Sequence, residues 1–378
     1  MPGPVLIAGG GTGGHTSPGL AVARRLGERA VPCAWIGSRA GLEARRAPEQ
    51  GIPFHAIRTG KLRRAWSWQN VPDLTVNAPL GVLQAWRLLG RLAPRVVLGT
   101  GGFVALPVVV AAAARRLPIV VHEQTSVPGL ANRVAARLAS RVAVTFAESA
   151  VHFPAGRTVV TGNPLRPELR GGSRSAALER FDFDPALPVV YVTGGAQGAH
   201  AINRAVGAIA SPLAEHAQIV HQCGDNPATG DRAWLEARRA ALPAALARRY
   251  VVLPWVADEL PDVYAVTALV VARSGAGTVN ECCHLGLPAL YIPLPGAAGD
   301  EQTANAHLVA RAGGCTYLPQ STLTPDLLLA RIRGLLADPA GLAQMSERAR
   351  TLAIPDAADR LVALLLQVAD DRSGLPAR

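Results

Sequence analysis

Short apolar segments alternate with longer amphipathic stretches along most of the chain. The first apolar segment, Val5–Ala8, leads through a run of glycines into a stretch with helical periodicity, Ser17–Leu26. Continuous apolar runs bounded by glycine are typical of strands buried in a parallel sheet. Further segments of this kind are Ala34–Gly37, Arg95–Leu98, Ile119–Val121, Arg141–Val144, Ile219–Gln222, Tyr250–Leu253 and Leu269–Ala272. Strands alternating with helices in this way predict an α/β fold with doubly wound parallel sheets.

One combination of strand, turn and helix occurs twice. Residues 6–15 align without a gap on residues 191–200, and both segments end in histidine after a glycine-rich turn. Two strand–turn–helix segments of this kind, far apart in one chain, predict two Rossmann-like domains that face each other across a cleft. Each domain would hold one substrate.

The length of the chain agrees with two domains. Its 378 residues, 49% of them apolar, are more than a single core normally holds. We place the first domain at residues 1–165 and the second at 166–355, and we expect a C-terminal helix at about 356–372 to pack back on the first. The glycine, serine and arginine content of residues 170–175 indicates a linker near the boundary.

The stretch after the strand Leu269–Ala272 carries the most specific polar pattern. A serine and two glycines within residues 274–277 allow a tight turn that brings a ligand close to the backbone. A helix predicted to begin near Thr278 would direct free N–H groups at that turn, which suits a diphosphate. Glu281, one turn into the helix, can accept two hydrogen bonds from a ribose diol.

Thr278 and Glu281 also fit a plainer interpretation. Their spacing is that of a capping box, and for the pair alone this spacing favours the cap. The whole stretch favours a more specific interpretation, a site for a nucleotide sugar. It also contains Arg273, the glycines, and the amides of Gln302 and Asn305, which suit sugar hydroxyls.

The first glycine-rich turn, Gly9–Gly14, does not fit a dinucleotide cofactor. Its spacing departs from Gly-x-Gly-x-x-Gly, and no acidic residue ends the next strand, Ala34–Gly37, where a cofactor ribose would be held. His15 stands where the turn becomes helix. This histidine could either pack against the turn or act as a general base in catalysis. Its position favours the general base, because a helix N-terminus keeps an imidazole neutral.

Composition and net charge limit the classes of partner that the chain is expected to bind. The formal net charge of +11 favours an anionic partner, and an aromatic content of only 4% argues against a base-stacking surface and so against nucleic acid. Five cysteines, an odd number without metal-ligand spacing, predict free thiols in a reducing cytosol. The longest apolar run, Phe103–Ala114, is too short to span a bilayer.

Residues 39–91 differ from the rest of the chain in being basic and rich in tryptophan. Nine lysines and arginines stand against three acids in this segment. One interpretation is a solvated face beside ordinary core residues. The other is a patch that lies on a membrane, with tryptophan at headgroup depth and arginine on acidic lipid. The residues that would form this patch are Arg63, Arg64, Trp66, Trp68, Leu83, Trp86, Arg87 and Arg91.

Seven short motifs occur in a fixed order along nearly the whole chain. They are Gly-Gly-Thr-Gly-Gly-His at 10–15, Gly-Thr-Gly-Gly-Phe at 99–103, His-Glu-Gln-Thr at 122–125, Thr-Gly-Asn-Pro-Leu-Arg at 161–166, Gly-Gly-Ala-Gln-Gly-Ala at 194–199, Arg-Ser-Gly-Ala-Gly-Thr-Val-Asn-Glu at 273–281 and Asp-Glu-Gln-Thr-Ala-Asn-Ala at 300–306. Each motif alone is weak, but the ordered set closely resembles the bacterial N-acetylglucosaminyltransferases of peptidoglycan synthesis.

This resemblance implies a GT-B fold and an inverting transfer of GlcNAc from UDP-GlcNAc to the 4-hydroxyl of MurNAc in undecaprenyl-diphospho-MurNAc-pentapeptide (lipid I), which gives lipid II. It implies no bound metal or cofactor, because helix N-termini rather than an Asp-x-Asp motif would hold the diphosphate. It also implies a peripheral enzyme on the cytoplasmic face of the cell membrane, with other cell-wall enzymes as further partners and a role in cell shape and division.

The resemblance also assigns residues by position. His15 is the catalytic base, Glu281 holds the ribose diol and Gln302 the GlcNAc hydroxyls. The residues expected at UDP-GlcNAc are Thr12, Gly13, Gly14, Thr125, Arg166, Ala196, Val256, Arg273, Ala276, Gly277, Thr278, Val279, Asn280, Glu281 and Gln302. The family usually has asparagine, serine and tyrosine at the positions of Thr125, Ala196 and Phe103.

Other functions on the same fold form the alternatives. One is another GT-B enzyme that uses a UDP-sugar, such as a transferase acting on diacylglycerol. A second is a UDP-GlcNAc 2-epimerase, which would leave the basic, tryptophan-bearing segment unexplained. A third is a nucleotide-binding module without catalysis.

Overall fold

The computed structural model of the protein describes residues 3–60, 73–296 and 298–373. The described residues form two compact units. The first contains the chain up to Arg166 and from Ile354 onward, and the second contains Pro167–Ala353. Each unit is built on its own parallel sheet.

The first unit has a seven-stranded sheet in the order β3-β2-β1-β4-β5-β6-β7 within the described part of the chain. Its strands are β1 (Val5–Gly9), β2 (Cys33–Ser38), β3 (Phe54–Ile57), β4 (Val96–Gly101), β5 (Ile119–Glu123), β6 (Arg141–Val144) and β7 (Thr158–Val160). Its helices are α1 (Gly13–Glu28), α2 (Glu43–Glu49), α3 (Ala78–Leu92), α4 (Gly102–Ala114), α5 (Leu130–Leu138) and, from the end of the chain, α16 (Ala357–Ser373).

The second unit has a six-stranded sheet in the order β10-β9-β8-β11-β12-β13, again counted over the residues described. Its strands are β8 (Val189–Thr193), β9 (Gln218–Gln222), β10 (Tyr250–Leu253), β11 (Thr267–Ala272), β12 (Ala289–Tyr291) and β13 (Thr316–Tyr317). Its helices are α6 (Arg174–Phe181), α7 (His200–Ala208), α8 (Ala210–Ala214), α9 (Asp231–Ala240), α10 (Ala244–Ala247), α11 (Leu260–Val266), α12 (Ala276–Leu285), α13 (Glu301–Arg311), α14 (Pro325–Leu336) and α15 (Pro339–Arg350).

Both sheets are doubly wound. All of their strand pairs are parallel, and the strand order reverses between β1 and β4 in the first unit and between β8 and β11 in the second. Strands such as β1 and β8 are buried along their whole length, as expected when helices cover both faces of a sheet. The prediction of two doubly wound, Rossmann-like α/β domains is confirmed.

Helix α16 belongs to the first unit. Its residues Leu361 and Leu365 are fully buried in the core that also contains Ile7 and Leu20. At the surface, Arg25 Nε donates to a carboxylate oxygen of Asp359 over 2.7 Å.

The segment 170–175 is not the linker that its composition suggested. It lies within the second unit and runs from the last residue of a 3-10 turn, Pro167–Arg170, into the first residues of helix α6. Ser173 caps that helix by accepting the N–H of Ala176, and its own N–H donates to Asp262. Serine favours helix N-termini as much as flexible loops, and composition alone did not separate the two.

Candidate active site

The glycine-rich turns lie where ligands collect in doubly wound sheets. In such sheets the loops at the carboxyl ends of the strands separate where the strand order reverses. In the first unit, the turn Gly9–Gly14 after β1 and the start of α4 after β4 flank that point. In the second unit, the turn 194–199 and the start of α12 flank the equivalent point.

Helix α1 begins inside the first turn. Thr12 is the N-cap residue with extended backbone angles, and its side chain makes no capping hydrogen bond. Thr12 and Gly13 are exposed, whereas Gly14 and His15 are half-buried. The first-turn N–H groups of a helix lack intrahelical partners, so Gly13 and Gly14 can offer theirs to an anion.

A buried acid that the sequence analysis missed fixes this turn. Glu43 is fully buried; its Oε2 accepts the N–H of Gly11 over 3.0 Å, and its Oε1 accepts the N–H and hydroxyl of Ser38 over 2.9 Å each. Gly10 has a φ of +150°, and a Cβ added there would lie 2.1 Å from the carboxyl carbon of Glu43. No local pattern marks Glu43, because it acts across 32 residues of sequence.

His15 is held by the end of β4 and by the loop that follows β5. Its Nδ1 lies 3.0 Å from Oε1 of Gln124 and 3.2 Å from the carbonyl oxygen of Thr100. The ring packs against two glycines with positive φ. A Cβ on Gly101 would lie 2.8 Å from Nδ1, and one on Gly102 would lie 3.2 Å from Cδ2. The His15 ring therefore has one nitrogen fixed by the protein.

The neighbouring His122 and Glu123 are turned inward. His122 is fully buried, and burial lowers its pKa to about 4, so the ring is neutral at physiological pH. Glu123 is 2% exposed, and its carboxylate accepts hydrogen bonds from Asn132 and from the N–H and hydroxyl of Thr125. Thr125 is itself buried, and its hydroxyl lies 2.7 Å from both Glu123 and the carbonyl of Val127.

In the second unit, helix α12 begins earlier than the sequence predicted. Its N-cap is Gly275 and its first residue is Ala276. Thr278 is therefore inside the first turn and cannot be the N-cap, so the capping-box interpretation of Thr278 and Glu281 is wrong. The turn residues before the helix were compatible with either start, and glycine also serves as an N-cap.

The six predicted positions in α12 divide by burial. Ala276, Gly277 and Thr278 are half-buried in the first turn, where N–H groups face outward along the helix axis. Val279 and Asn280 are buried; Val279 donates its N–H to Gly275, and the Asn280 amide donates to the carbonyl of Ala276. The structure therefore gives Val279 and Asn280 packing and helix-stabilising contacts.

Glu281 is half-buried and is held by a tyrosine. The hydroxyl of Tyr264 donates to Oε2 of Glu281 over 2.6 Å. Burial, followed by the negative charge of Glu281, raises the pKa of Tyr264 well above its ordinary value, so the hydroxyl remains a donor. Tyr264 also packs edge-to-face on Tyr191, with ring centroids 5.7 Å apart.

Arg273 directly follows β11, and Gln302 lies in the first turn of α13, which follows β12 along the chain. Arg273 donates to the carbonyls of Ile292 and Pro293 over 2.9 and 3.1 Å, and burial lowers its pKa to about 10. Gln302 Oε1 accepts the N–H of Leu294 over 3.0 Å. Asn305, offered for sugar hydroxyls on sequence grounds, is 1% exposed and its amide donates instead to the carbonyl of Ser274.

A buried glutamine, which the sequence did not indicate as a site residue, connects the glycine-rich turn of the second unit to Val256. Gln222 donates to the carbonyl of Gly195 over 3.2 Å and accepts the N–H of Val256 over 3.2 Å. Ala196, next to Gly195, is exposed, whereas Val256 is 2% exposed. Arg166 is exposed and is the last residue of this part of the first unit.

The chain does contain one Asp-x-Asp sequence, Asp182-Phe183-Asp184. It precedes β8 and so lies at the amino end of that strand, opposite the glycine-rich turn. Asp184 Oδ1 accepts the N–H of Ala186 in a tight turn. In the part of the chain that the structure describes, no group of three or more His, Cys, Asp or Glu side chains is arranged to hold a metal ion.

Helix α3 presents an apolar and basic surface, which we call the α3 patch and define as Leu80, Leu83, Trp86, Arg87 and Arg91. The three apolar side chains are 36, 45 and 37% exposed. Arg115 stacks on the Trp86 ring at 4.2 Å from its centroid. Arg63, Arg64, Trp66 and Trp68, predicted for the same surface, lie outside the described residues. None of the helices in the described ranges is long and apolar enough to cross a membrane.

Comparison with known families matches both halves of the chain. The glycosyltransferase family 28 N-terminal domain matches residues 5–144, and the family 28 C-terminal domain matches residues 189–361. Together these ranges include both glycine-rich turns, His15 and Glu281.

Known proteins are similar along the whole chain. The Nocardioides sp. protein named UDP-N-acetylglucosamine–N-acetylmuramyl-(pentapeptide) pyrophosphoryl-undecaprenol N-acetylglucosamine transferase is 39% identical over 377 residues, covering 96% of this chain and 98% of its own. The protein of that name from Alkalilimnicola ehrlichii is 39% identical over 376 residues, covering 97% and 99%.

Solved structures give the same picture. MurG of Acinetobacter baumannii superposes with a TM-score of 0.73 at 30% identity, covering 97% of this chain and all of that one. A UDP-GlcNAc 2-epimerase from Neisseria meningitidis superposes with a TM-score of 0.66 at 15% identity, covering 96% and 99%, which shows a shared fold alone.

Proposed function

We propose, from the premise that this chain belongs to glycosyltransferase family 28, that it transfers N-acetylglucosamine from UDP-N-acetylglucosamine to lipid I and so makes lipid II for peptidoglycan synthesis. The observation that carries the proposal is similarity to transferases of this one name over almost the whole chain, at 39% identity. The fold alone would not separate this reaction from epimerisation, because an epimerase shares it.

In this proposal the second unit binds the donor. The N–H groups of Ala276, Gly277 and Thr278 meet the diphosphate, with the helix dipole adding to their attraction for negative charge. Glu281, aligned by Tyr264, accepts the ribose hydroxyls. Gln302 keeps its NH₂ group for the GlcNAc hydroxyls, because its oxygen already accepts the N–H of Leu294.

In the same proposal the first unit supplies the base. The 4-hydroxyl oxygen of MurNAc attacks C1 of GlcNAc from the face opposite UDP, while its proton passes to His15. The bond from C1 to the diphosphate oxygen breaks, and its electron pair leaves with UDP, which inverts the configuration at C1. The helix N-terminus that holds the diphosphate stabilises the charge that develops on it.

We expect this transfer to need no resident metal ion, because main-chain N–H groups at a helix N-terminus suit the diphosphate without one. Transfer rates that stay constant after treatment with EDTA support this part of the proposal. A rate that falls with EDTA and returns with magnesium would contradict it.

The enzyme must also reach a lipid substrate. We propose that the α3 patch lies on the cytoplasmic face of the cell membrane, because exposed Leu83 and Trp86 can enter the headgroup region while Arg87 and Arg91 meet anionic lipid. Other cell-wall enzymes are further partners in the proposal.

The test is a transfer assay with labelled UDP-GlcNAc and a short-chain lipid I analogue. His15→Ala should lower kcat by about 10²–10⁴-fold, the usual contribution of a general base, with little change in donor KM. His200→Ala is the matched control, because His200 occupies the aligned position in the second unit but is bonded to Asp231. Epimerised donor without transfer would overturn the function, whereas transfer by His15→Ala at more than a tenth of the normal rate would overturn only the base.

A further inference from the structure

The amide of Gln124 is oriented by two main-chain carbonyls. One of its terminal atoms lies 2.7 Å from the carbonyl oxygen of Thr100 and 3.1 Å from that of His122. Carbonyl oxygens only accept hydrogen bonds, so this atom must be the NH₂ group and cannot be the oxygen. The oxygen of Gln124 therefore faces His15 at 3.0 Å.

That orientation decides where His15 carries its proton. Both atoms that face Nδ1 of His15 are acceptors, the oxygen of Gln124 and the carbonyl oxygen of Thr100 at 3.2 Å. Nδ1 must therefore be an N–H donor. In a neutral imidazole the other nitrogen, Nε2, then holds the free lone pair.

His122 supports the same conclusion from the opposite side of Gln124. Its Nε2 lies 3.0 Å from the carbonyl oxygen of Gly162 and must donate, so the Nδ1 of this buried neutral ring must accept. The atom that faces Nδ1, at 2.9 Å, is again the NH₂ group of Gln124. Two independent sets of contacts thus give Gln124 one orientation.

We propose that Gln124, anchored by His122, is a positioning residue that holds His15 in the Nδ1–H tautomer and so directs its basic Nε2 at the acceptor hydroxyl. The inference rests on the proposed role of His15 as the base. When Nε2 takes the proton, the resulting imidazolium keeps its Nδ1–H bonded to two oxygens, which stabilises the positive charge.

The tautomers can be read directly from nitrogen-15 NMR of the full-length protein with labelled histidine, at a pH where the rings are neutral. His15, assigned by the signal lost in His15→Ala, should be the Nδ1–H tautomer, and His122 should be Nε2–H. His221 provides an internal reference, since its contacts with Tyr250 and Asn203 also require Nε2–H. A wild-type His15 in the Nε2–H form would overturn the proposal without any variant.

Two variants separate positioning from folding. Gln124→Met removes the nearer of the two acceptors at Nδ1 and leaves the Thr100 carbonyl, so the population of the Nε2–H form of His15 should rise while kcat falls at least about tenfold and donor KM stays constant. Gln124→Glu, buried and so protonated, keeps a carbonyl oxygen facing Nδ1 and offers an O–H in place of the NH₂ group, and it should retain the Nδ1–H form. The matched control is Gln218→Met, which removes a buried amide bonded to main chain in the second unit.

The outcomes distinguish this inference from the proposed function. Loss of kcat in Gln124→Met with His15 still in the Nδ1–H form would overturn the positioning role. If Gln124→Met does not fold, the wild-type spectrum and Gln124→Glu decide the question alone. Absence of transfer by a wild-type protein whose His15 is Nδ1–H would refute the transferase and leave the tautomer assignment intact.

Discussion

Several buried side chains act on the candidate site through a neighbour. Glu43 fixes the first glycine-rich turn by binding Gly11, and Tyr264 fixes Glu281. Gln222 joins the turn at Gly195 to Val256. Each satisfies polar groups that burial would otherwise leave unpaired, and an unpaired buried group costs about 1–3 kcal/mol. The geometry of the site therefore depends on residues that would not contact a substrate.

Tyr264→Phe tests this dependence on the donor side. Removing the hydroxyl leaves Glu281 without its 2.6 Å donor, so the carboxylate is less well placed for the ribose diol. We expect the KM for UDP-GlcNAc to rise about two- to tenfold, the equivalent of one hydrogen bond, with kcat nearly unchanged. Glu281→Ala should raise KM further, by about 1–3 kcal/mol of binding free energy.

The control for this experiment is Tyr250→Phe. Tyr250 is also a fully buried tyrosine of the second unit, but its hydroxyl bonds to His221 rather than to Glu281. Its removal should affect stability and leave donor KM unchanged. An unchanged KM in Tyr264→Phe, beside a raised KM in Glu281→Ala, would reduce Tyr264 to a packing residue.

At the scale of elements, sequence patterns located most of the strands and the glycine-rich turns, but not β3, β7 or β13 and not the contacts between elements. Strand β11 and the turn after it were predicted from local composition, and the repeat of residues 6–15 at 191–200 marks equivalent places in the two sheets. Local patterns could not reveal Glu43 or Gln222, because they bond across 32 and 27 residues of sequence. The start of α12 was placed too late because a Thr-x-x-Glu pair resembles a cap wherever it falls in a helix.

Helix α3 has two apolar faces. Gly81, Ala85, Leu88 and Leu89 are buried at helical spacing, whereas Leu80, Leu83 and Trp86 form an exposed stripe. An ordinary amphipathic helix of a soluble domain has one apolar stripe, facing the core. The second stripe, beside Arg87 and Arg91, is what a helix on a membrane surface would require.

The α3 patch leads to a prediction about liposomes. Binding should require anionic lipid and weaken as salt rises, because each arginine near a charged surface contributes about 1 kcal/mol and salt screens it. Arg87→Glu with Arg91→Glu should abolish co-sedimentation while turnover of a water-soluble acceptor stays nearly intact. Arg180→Glu with Arg331→Glu makes the same change in net charge on exposed helices of the second unit. If both double variants lost liposome binding equally, the binding would depend on net charge and not on the α3 patch.

At the scale of the whole molecule, the chain leaves the first unit and returns to it. The unit that ends at Arg166 is completed by the segment from Ile354 onward, so the second unit is inserted between two parts of one core. Leu361 and Leu365 of α16 are fully buried with residues of β1 and α1. The second unit has a separate core, which includes Leu328 of α14. Separate cores predict that a packing defect in one unit weakens that unit first.

Leu365→Ala tests this division. Truncating a fully buried leucine costs about 2–5 kcal/mol, so amides of β1, β4 and α1 should lose protection from hydrogen exchange, while those of β8, β11 and α12 keep theirs. Leu328→Ala, equally buried in the other core, should give the reverse pattern. Saturating UDP-GlcNAc, at about 100 times its Kd, should add about 2.7 kcal/mol to the protection of the second unit in either variant, because the ligand binds only the folded donor site. Loss of protection spread evenly over both units in Leu365→Ala would show that they unfold as one, and that α16 stabilises the whole chain rather than the unit on which it packs.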